Sequence, residues 1–298
     1  MHIEYLRYFY EVASMRSISK AANNAHISQP ALSQQIQRLE ENLNHKLLIR
    51  SNKGVELTEA GRIVEKYARN LIKSYDNMLE DLDAIMNNNS TIRINSGLTL
   101  GTYALPCTLY SVQEKFSKFV FNLSSSPSDE VEQNIMNDVY DVGFIYGKPK
   151  EEGLAYTKVG MDRLVVIASA DFHIKQEIYL KDLLDYRLIM LDERFRERRQ
   201  LEEHLKCLGY KLNDFNISLN LDSTESVKST VVKGYGLSFV PYISVKKELY
   251  TKQLKEIHVQ DFQMNCDIYL IYKKEKDIGK SVKTFIQYLK KIGEKSFC

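Results

Sequence analysis

Residues 17–57 carry the pattern that most restricts the fold: Ser17-Ile18-Ser19-Lys20-Ala21-Ala22, then Ile27-Ser28-Gln29-Pro30-Ala31-Leu32-Ser33, then Ile36, Leu39-Glu40, Leu43 and Leu47-Leu48-Ile49-Arg50. Ser28 has the chemistry of a helix N-cap, since its hydroxyl can accept from the free amides of the first turn. Pro30 falls in that turn, where a missing N–H costs little. Leu32, Ile36, Leu39 and Leu43 recur at spacings of four, three and four, one apolar stripe that must be buried. The opposite face carries Gln29, Ser33, Gln34, Gln37 and Arg38. Gln pairs with adenine, and Arg with guanine or phosphate, so this face suits the major groove of DNA.

The flanks extend the pattern. Tyr5, Leu6, Phe9, Val12 and Ala13 form the buried face of a first helix, and Ser17 caps a second over about 18–25. Ala21 and Ala22 allow that second helix to pack closely. Leu47–Ile49 and Val55–Leu57 read as two strands around an Arg50–Gly54 turn, whose Asn, Lys and Gly are turn formers. Arg50 and Lys53 are placed to meet phosphates as a wing. The candidate DNA contacts are therefore Ser28, Gln29, Pro30, Ser33, Gln34, Gln37, Arg38, Arg50 and Lys53. Residues 1–66 hold nine Lys/Arg against seven Asp/Glu, a net of +2. Binding is expected to rest on placed contacts rather than on a strong basic field.

The run Tyr5-Leu6, Phe9, Val12-Ala13, Ser17, Ala21-Ala22, Ser28-Gln29-Pro30-Ala31-Leu32-Ser33, Ile36, Leu39-Glu40, Leu43, Leu47, Arg50, Leu57-Thr58 and Ala60-Gly61 resembles the LysR-type transcriptional regulators. Three positions depart from the family pattern. Asn44 replaces a usual Gly, Ile49 stands near a usual Phe-x-Arg, and Gln34 sits where Arg is common. The last bears on which operator is read.

Thr58 caps a long helix over about 59–86. Val64, Tyr67, Leu71, Tyr75, Met78, Leu82 and Ile85 lie on it at near-heptad spacing, a seam that a lone helix would expose. Packing against its own chain or against a second copy both satisfy the seam; the family resemblance favours a dimerising linker. Asn87–Ser90 then reads as a hinge.

From residue 92 onward strands alternate with helices, as in layered α/β domains. Strands are expected at 92–95, 120–123, 142–146, 164–168, 187–191, 217–221, 237–240 and 268–272. Helices are expected at 103–116, 131–137, 197–208, 224–233 and 282–292. The resemblance adds a topology. It implies an N-terminal winged helix-turn-helix over 1–58, a linker helix and hinge over 59–89, and a regulatory domain over 90–298. That domain is α/β and periplasmic-binding-protein-like (type 2), with subdomain one at 91–161 plus 265–298 and subdomain two at 162–264. A small-molecule effector would bind in the cleft between them.

Ser96–Pro106 follows the first strand of this region and opens a helix, and its glycines, hydroxyls and helix start suit an anion. The segment resembles the Thr-x-Gly-x-Tyr-x-Leu-Pro version found in part of the family. Candidate effector contacts are Ser96, Thr99 and Thr102 here, Tyr146 and Gly147 at the subdomain crossing, Arg194, which can pair with a carboxylate, and Ser223 and Thr224 at a helix start. Arg196, Arg198 and Arg199 are expected on a solvated helix face.

Composition sets bounds. No stretch of 18 apolar residues occurs, so no membrane span is expected, and no N-terminal apolar run follows a basic segment, so a cytoplasmic location is expected. The four cysteines are far apart and are expected as isolated reduced thiols; oxidant-sensing members of the family use a cysteine pair, and Cys207 has no near partner. The six histidines show no metal spacing, and no Gly-x-Ser-x-Gly or P-loop marks an enzyme. No cofactor is expected. The resulting expectation is a regulator that binds double-stranded DNA as a dimer or dimer of dimers and answers to a small-molecule effector, the 96–106 segment being suited to an anion. The competing readings are a constitutive DNA-binding protein with a vestigial cleft, and an enzyme or solute-binding protein.

Overall fold

Residues 2–51, 54–87, 90–175, 177–274 and 278–293 are described in the computed structural model. The chain divides into two compact units, Met1–Asn87 and Asn88–Cys298.

The first unit runs α1 (Ile3–Met15), α2 (Ile18–Asn24), α3 (Gln29–Leu43), β1 (Leu48–Ser51), β2 (Gly54–Leu57) and α4 (Glu59–Asn87). Three hydroxyls start helices as the sequence expects. Ser17 accepts from the Lys20 amide and Ser28 from the Ala31 amide, both at 3.3 Å, and Thr58 accepts from the Gly61 amide at 2.9 Å. Each such cap is worth about 1 kcal/mol. Leu6, Phe9 and Val12 of α1, Ala21 and Ala22 of α2, and Leu32, Ile36 and Leu39 of α3 bury together in one core. Asn44 ends α3 in the left-handed region at φ 54°. Asn tolerates that conformation better than other side-chain-bearing residues, so it can stand where the family has Gly.

Helix α4 has two faces. Ala68 is buried, and Val64 and Ile72 pack on the same core. Tyr67, Leu71, Tyr75, Met78 and Leu82 are exposed, Leu71 by 50% and Leu82 by 55%. Val64 thus belongs to the intramolecular face, whereas the rest of the expected seam from Tyr67 to Leu82 is exposed, with only the Tyr75 ring approached by the Arg7 guanidinium, at 6.0 Å, among the described contacts. The Ile85 side chain lies outside the described residues.

The second unit is built from β3 (Ser90–Gly97), α5 (Leu98–Tyr103), α6 (Leu105–Lys115), β4 (Phe119–Ser126), α7 (Ser128–Met136), β5 (Val142–Tyr146), β6 (Leu154–Ser169), β7 (Glu177–Ile178), β8 (Leu188–Leu191), α8 (Arg196–Cys207), β9 (Ile217–Leu221), α9 (Thr224–Val232), β10 (Ser238–Pro241), α10 (Lys246–Tyr250), β11 (Leu254–Val259), β12 (Met264–Lys273) and α11 (Lys280–Ile292). In one half the strand order is β4-β3-β5-β12-β6, with β3 parallel to both β4 and β5. In the other half, residues 164–169 of β6 pair with β10 on one side and β11 on the other. There β8 and β9 form a parallel pair that is joined toward β10 through Leu188 and Leu237. Strands β6 and β12 pair with each other from Leu154–Lys273 to Leu164–Met264, and so tie the halves together.

Three expectations change. The helix expected at 103–116 is α6, and a separate short helix, α5, precedes it; the break falls where Pro106 in the first turn of α6 supplies no amide to continue the ladder. Strand β6 begins at Leu154, ten residues before the expected strand, and β11 was not anticipated. Both are defined by partners remote in sequence, which local periodicity does not report. Residues Asn88 and Asn89 of the expected hinge lie outside the described residues.

Candidate nucleic-acid interface and sensor cleft

The face of α3 opposite the buried stripe is open. Ser28, Gln29, Pro30, Gln34, Gln37 and Arg38 are exposed and Ser33 is half-buried. Neighbouring side chains orient several of them: Ser19 donates to the Gln29 side chain at 2.9 Å, Gln37 donates to Glu41 at 2.9 Å, and Arg50 on β1 reaches the Ser33 hydroxyl at 3.4 Å. These are weak surface contacts that a DNA base or phosphate can replace. Lys53 lies outside the described residues.

Sequence reasoning missed the residue that sets the hairpin against α3. Glu40 is 6% exposed, and its carboxylate accepts from the Leu47 amide at 2.8 Å, the Leu48 amide at 3.2 Å and the Lys46 ammonium at 2.8 Å. Burial works to raise its pKa, but these donors outweigh burial and hold it below the ordinary carboxylate range. Its place beside Leu39 in the apolar stripe was the available signal.

In the second unit the two halves meet through α5 and α7 on one side and α8 and α9 on the other. Thr99 in α5 and Glu197 in α8 are 2% and 4% exposed, and the Thr99 hydroxyl donates to the Glu197 carboxyl. The Arg196 guanidinium, 5% exposed, pairs with Glu132 and with Asp129 at 2.8 Å, both on α7, and donates to the Lys148 carbonyl at 3.3 Å. Arg199 joins Asp129 at 3.0 Å. Further along, the Tyr103 hydroxyl donates to Glu225 at 2.6 Å, and the Lys228 ammonium sits 4.8 Å from the centre of the Tyr103 ring.

The expected contact residues divide accordingly. Thr99 and Tyr146 lie in the buried interior; the Tyr146 hydroxyl donates to Asp162 at 2.8 Å. Burial, then Asp162, raises the Tyr146 pKa well above the ordinary phenol, and burial also raises Asp162 against three donors. Ser96 is fully buried but its hydroxyl donates to the Gly97 carbonyl at 3.0 Å. Gly147 has φ +72°, and a Cβ there would come within 2.3 Å of the Gln200 side chain, so glycine lets α8 approach. Thr224 is buried in the first turn of α9, and Ser223 is the N-cap residue without a side-chain cap bond.

Two residues point elsewhere. Thr102 is exposed, and its hydroxyl donates back to the Leu98 carbonyl at 3.0 Å. Arg194 is exposed and its guanidinium donates to Asp192 at 2.7 and 2.9 Å. The arginines depart from the expected solvated face: Arg196 is buried in the cross-cleft network, because carboxylates on α7 meet it there, Arg199 is half-buried beside Asp129, and the Arg198 side chain is only 11% exposed. No pattern within 194–199 distinguishes Arg196. Asp162, Glu132 and Glu197 were also missed, since a buried acid whose partners lie on other elements leaves no local trace. Cys266 is buried, and Cys107 and Cys207 are exposed free thiols.

Residues 3–62 match the family described as bacterial regulatory helix-turn-helix protein, lysR family, and residues 87–293 match the LysR substrate binding domain. The chain belongs to the LysR family of transcriptional regulators. Among curated relatives of this LysR-family chain, a probable RuBisCO transcriptional regulator of Cyanidioschyzon merolae is 28% identical over 96% of this chain and 97% of its own length. A protein of the same description from Cyanophora paradoxa is 31% identical over 83% of this chain and 78% of its own. Among solved structures, full-length CbnR complexed with its target DNA has the same fold. Its TM-score is 0.79 at 19% identity, covering 97% of this chain and 99% of that one. Among the described residues of the LysR-family chain, no helix is long and apolar enough to cross a membrane.

Proposed function

We propose that this LysR-family regulator binds double-stranded operator DNA sequence-specifically as a dimer or dimer of dimers, and that a small-molecule effector in the cleft of the second unit alters that binding. The observation that carries the reading is the α3 face. Its polar side chains are exposed while its apolar stripe is locked in a core, so the helix is presented rather than packed away. Ser28, Gln29, Pro30, Ser33, Gln34, Gln37, Arg38, Arg50 and Lys53 are assigned to DNA. Pairing of two copies along Tyr67, Leu71, Tyr75, Met78 and Leu82 would cover the exposed seam of α4 and set two recognition helices at a fixed spacing. The division proposed is 1–58 for DNA reading, 59–89 for linkage and pairing, and 90–298 for sensing, with sensing subdomains of 91–161 plus 265–298 and 162–264.

Of the expected effector contacts, Ser96, Thr99, Tyr146, Gly147 and Thr224 support the reading best by their burial or their position where the halves meet. The role is regulatory rather than catalytic, and the DNA partner implies a cytoplasmic location. The test is a gel shift of full-length protein on the DNA upstream of its own gene, at low salt. Retardation that an unrelated duplex does not compete away is expected; no retardation with folded protein overturns the reading. One observation favours a second reading, a constitutive DNA binder with a vestigial cleft: Thr99 with Glu197, Tyr103 with Glu225, and Arg196 with Glu132 and Asp129 are already partnered across the meeting of the halves.

A further inference from the structure

The polar interior between the two halves is occupied by the chain itself. Thr99 opens α5 on one half, and its hydroxyl donates to the carboxyl of Glu197, in the first turn of α8 on the other half. Both side chains are almost fully buried, at 2% and 4% exposure. Burial raises the Glu197 pKa, and Asp162 works in the same direction, against the Thr99 hydrogen bond and Arg199. Tyr146 and Cys266 complete the setting through their electrostatic coupling to it. A carboxyl is costly to bury, and two acids near one another are costlier. The position is nevertheless sealed, because the adjacent Arg196 holds Glu132 and Asp129 of the opposite half. Glu197 thus reaches across from its own half and presents to Thr99 what a small acid in the same space would present: two carboxyl oxygens at the end of a short alkyl stem.

We propose that Glu197 is a built-in occupant of the cleft, taking the Thr99 donor in place of a short carboxylic acid, and that such an acid is the effector class that displaces it and loosens the two halves. The inference rests on the effector-responsive reading above and names the ligand class of that same cleft. Binding is an exchange of one carboxyl for another at Thr99. The closed arrangement is therefore the ligand-free state, and the apparent affinity for an acid is reduced by the population in which Glu197 already sits there.

The test is chemical replacement in the full chain. Glu197→Gly removes a fragment with the shape of propionate. We expect the variant to melt below wild type, and propionate to raise its melting temperature saturably. The neutral propionamide and sodium chloride at equal ionic strength should not do so. Wild type should need about tenfold more propionate for the same shift, since its own carboxyl competes. Equal responses to propionate and propionamide, or equal responses of wild type and variant to propionate, overturn the proposal. Thr99→Val keeps the volume and removes the donor from the other half, which keeps the question answerable if Glu197→Gly does not fold. Amide hydrogen exchange in the first turn of α8 should rise about tenfold in that variant; unchanged exchange overturns the proposal. The gel shift stays separate: wild-type protein that fails to bind DNA defeats the regulator reading, whereas DNA binding without selective propionate replacement defeats only the assignment of Glu197.

Discussion

The two units use polar side chains in opposite ways. On α3 the polar face is exposed, and its contacts, such as Gln37 with Glu41 at 2.9 Å, are local and solvated. Between the halves of the second unit the polar groups are buried and joined across elements, as Thr99 with Glu197 and Arg196 with Glu132 are. A reading surface has to leave its donors and acceptors free for a partner of varying sequence. A sensing cleft has to convert the presence of one ligand into a change of shape, so its polar groups belong where exchanging a partner moves a whole half-domain. The comparison predicts that substitutions in the cleft act mainly on stability and shape, and those on α3 mainly on recognition.

The largest effect is expected at Arg196. Arg196→Ala leaves Glu132 buried without its cation, a loss of about 3–5 kcal/mol for a broken buried pair. Urea denaturation of the full chain followed by a probe in the second unit measures it, and a loss below about 1 kcal/mol would show that the network is solvated after all. Next comes Glu40, the buried acid of the first unit. Glu40→Ala orphans the Leu47 and Leu48 amides at about 1–3 kcal/mol, and should disorder the hairpin while leaving the second unit's transition unchanged. Its lowered pKa adds a sign: the Glu40 contribution is present above the unfolded carboxylate pKa and is lost as pH falls through the lower folded value.

Third, Gln29→Ala and Ser33→Ala should leave thermal unfolding and dimerisation unchanged and weaken operator binding by about 1–3 kcal/mol per lost base contact. An equal loss on unrelated DNA would mean that these side chains touch only the backbone. The smallest effect is a slope. Burial raises the Glu197 pKa, so the folded state holds that proton more tightly than the unfolded chain. Its stabilising contribution is complete below the unfolded pKa and declines as pH rises toward the raised folded value. Glu197→Gln should flatten that part of the stability-versus-pH curve; an unchanged slope would assign it to another group.

Legibility in the sequence also differs between the units. In the first, Ser17, Ser28 and Thr58 cap the helices they were expected to cap, and Leu32, Ile36 and Leu39 are fully buried. Every one of those signals acts within a few residues. In the second unit the short buried strands such as 142–146 were readable from their apolar runs. The first part of β6 was not, because residues such as Tyr156, Lys158 and Asp162 become strand only by pairing with β12, about a hundred residues later. The cleft suffered most. Thr99 and Thr102 were both expected as effector contacts; Thr99 is buried where the halves meet, whereas Thr102, one turn away in the same loop motif, faces solvent. Arg194 was preferred to Arg196, although Arg196 is the buried cation.

What the sequence by itself determined is the DNA-reading helix, its caps, its buried stripe and the long apolar seam after it, because helix periodicity and capping are short-range effects written within a turn or two. Only the tertiary structure decided which charges are buried and which acid meets which donor. Arg196 and Glu197 share α8, whereas Glu132 lies on α7 and Thr99 on α5. The cost of burying each is met by a partner between 64 and 98 residues away, and no local pattern carries that information.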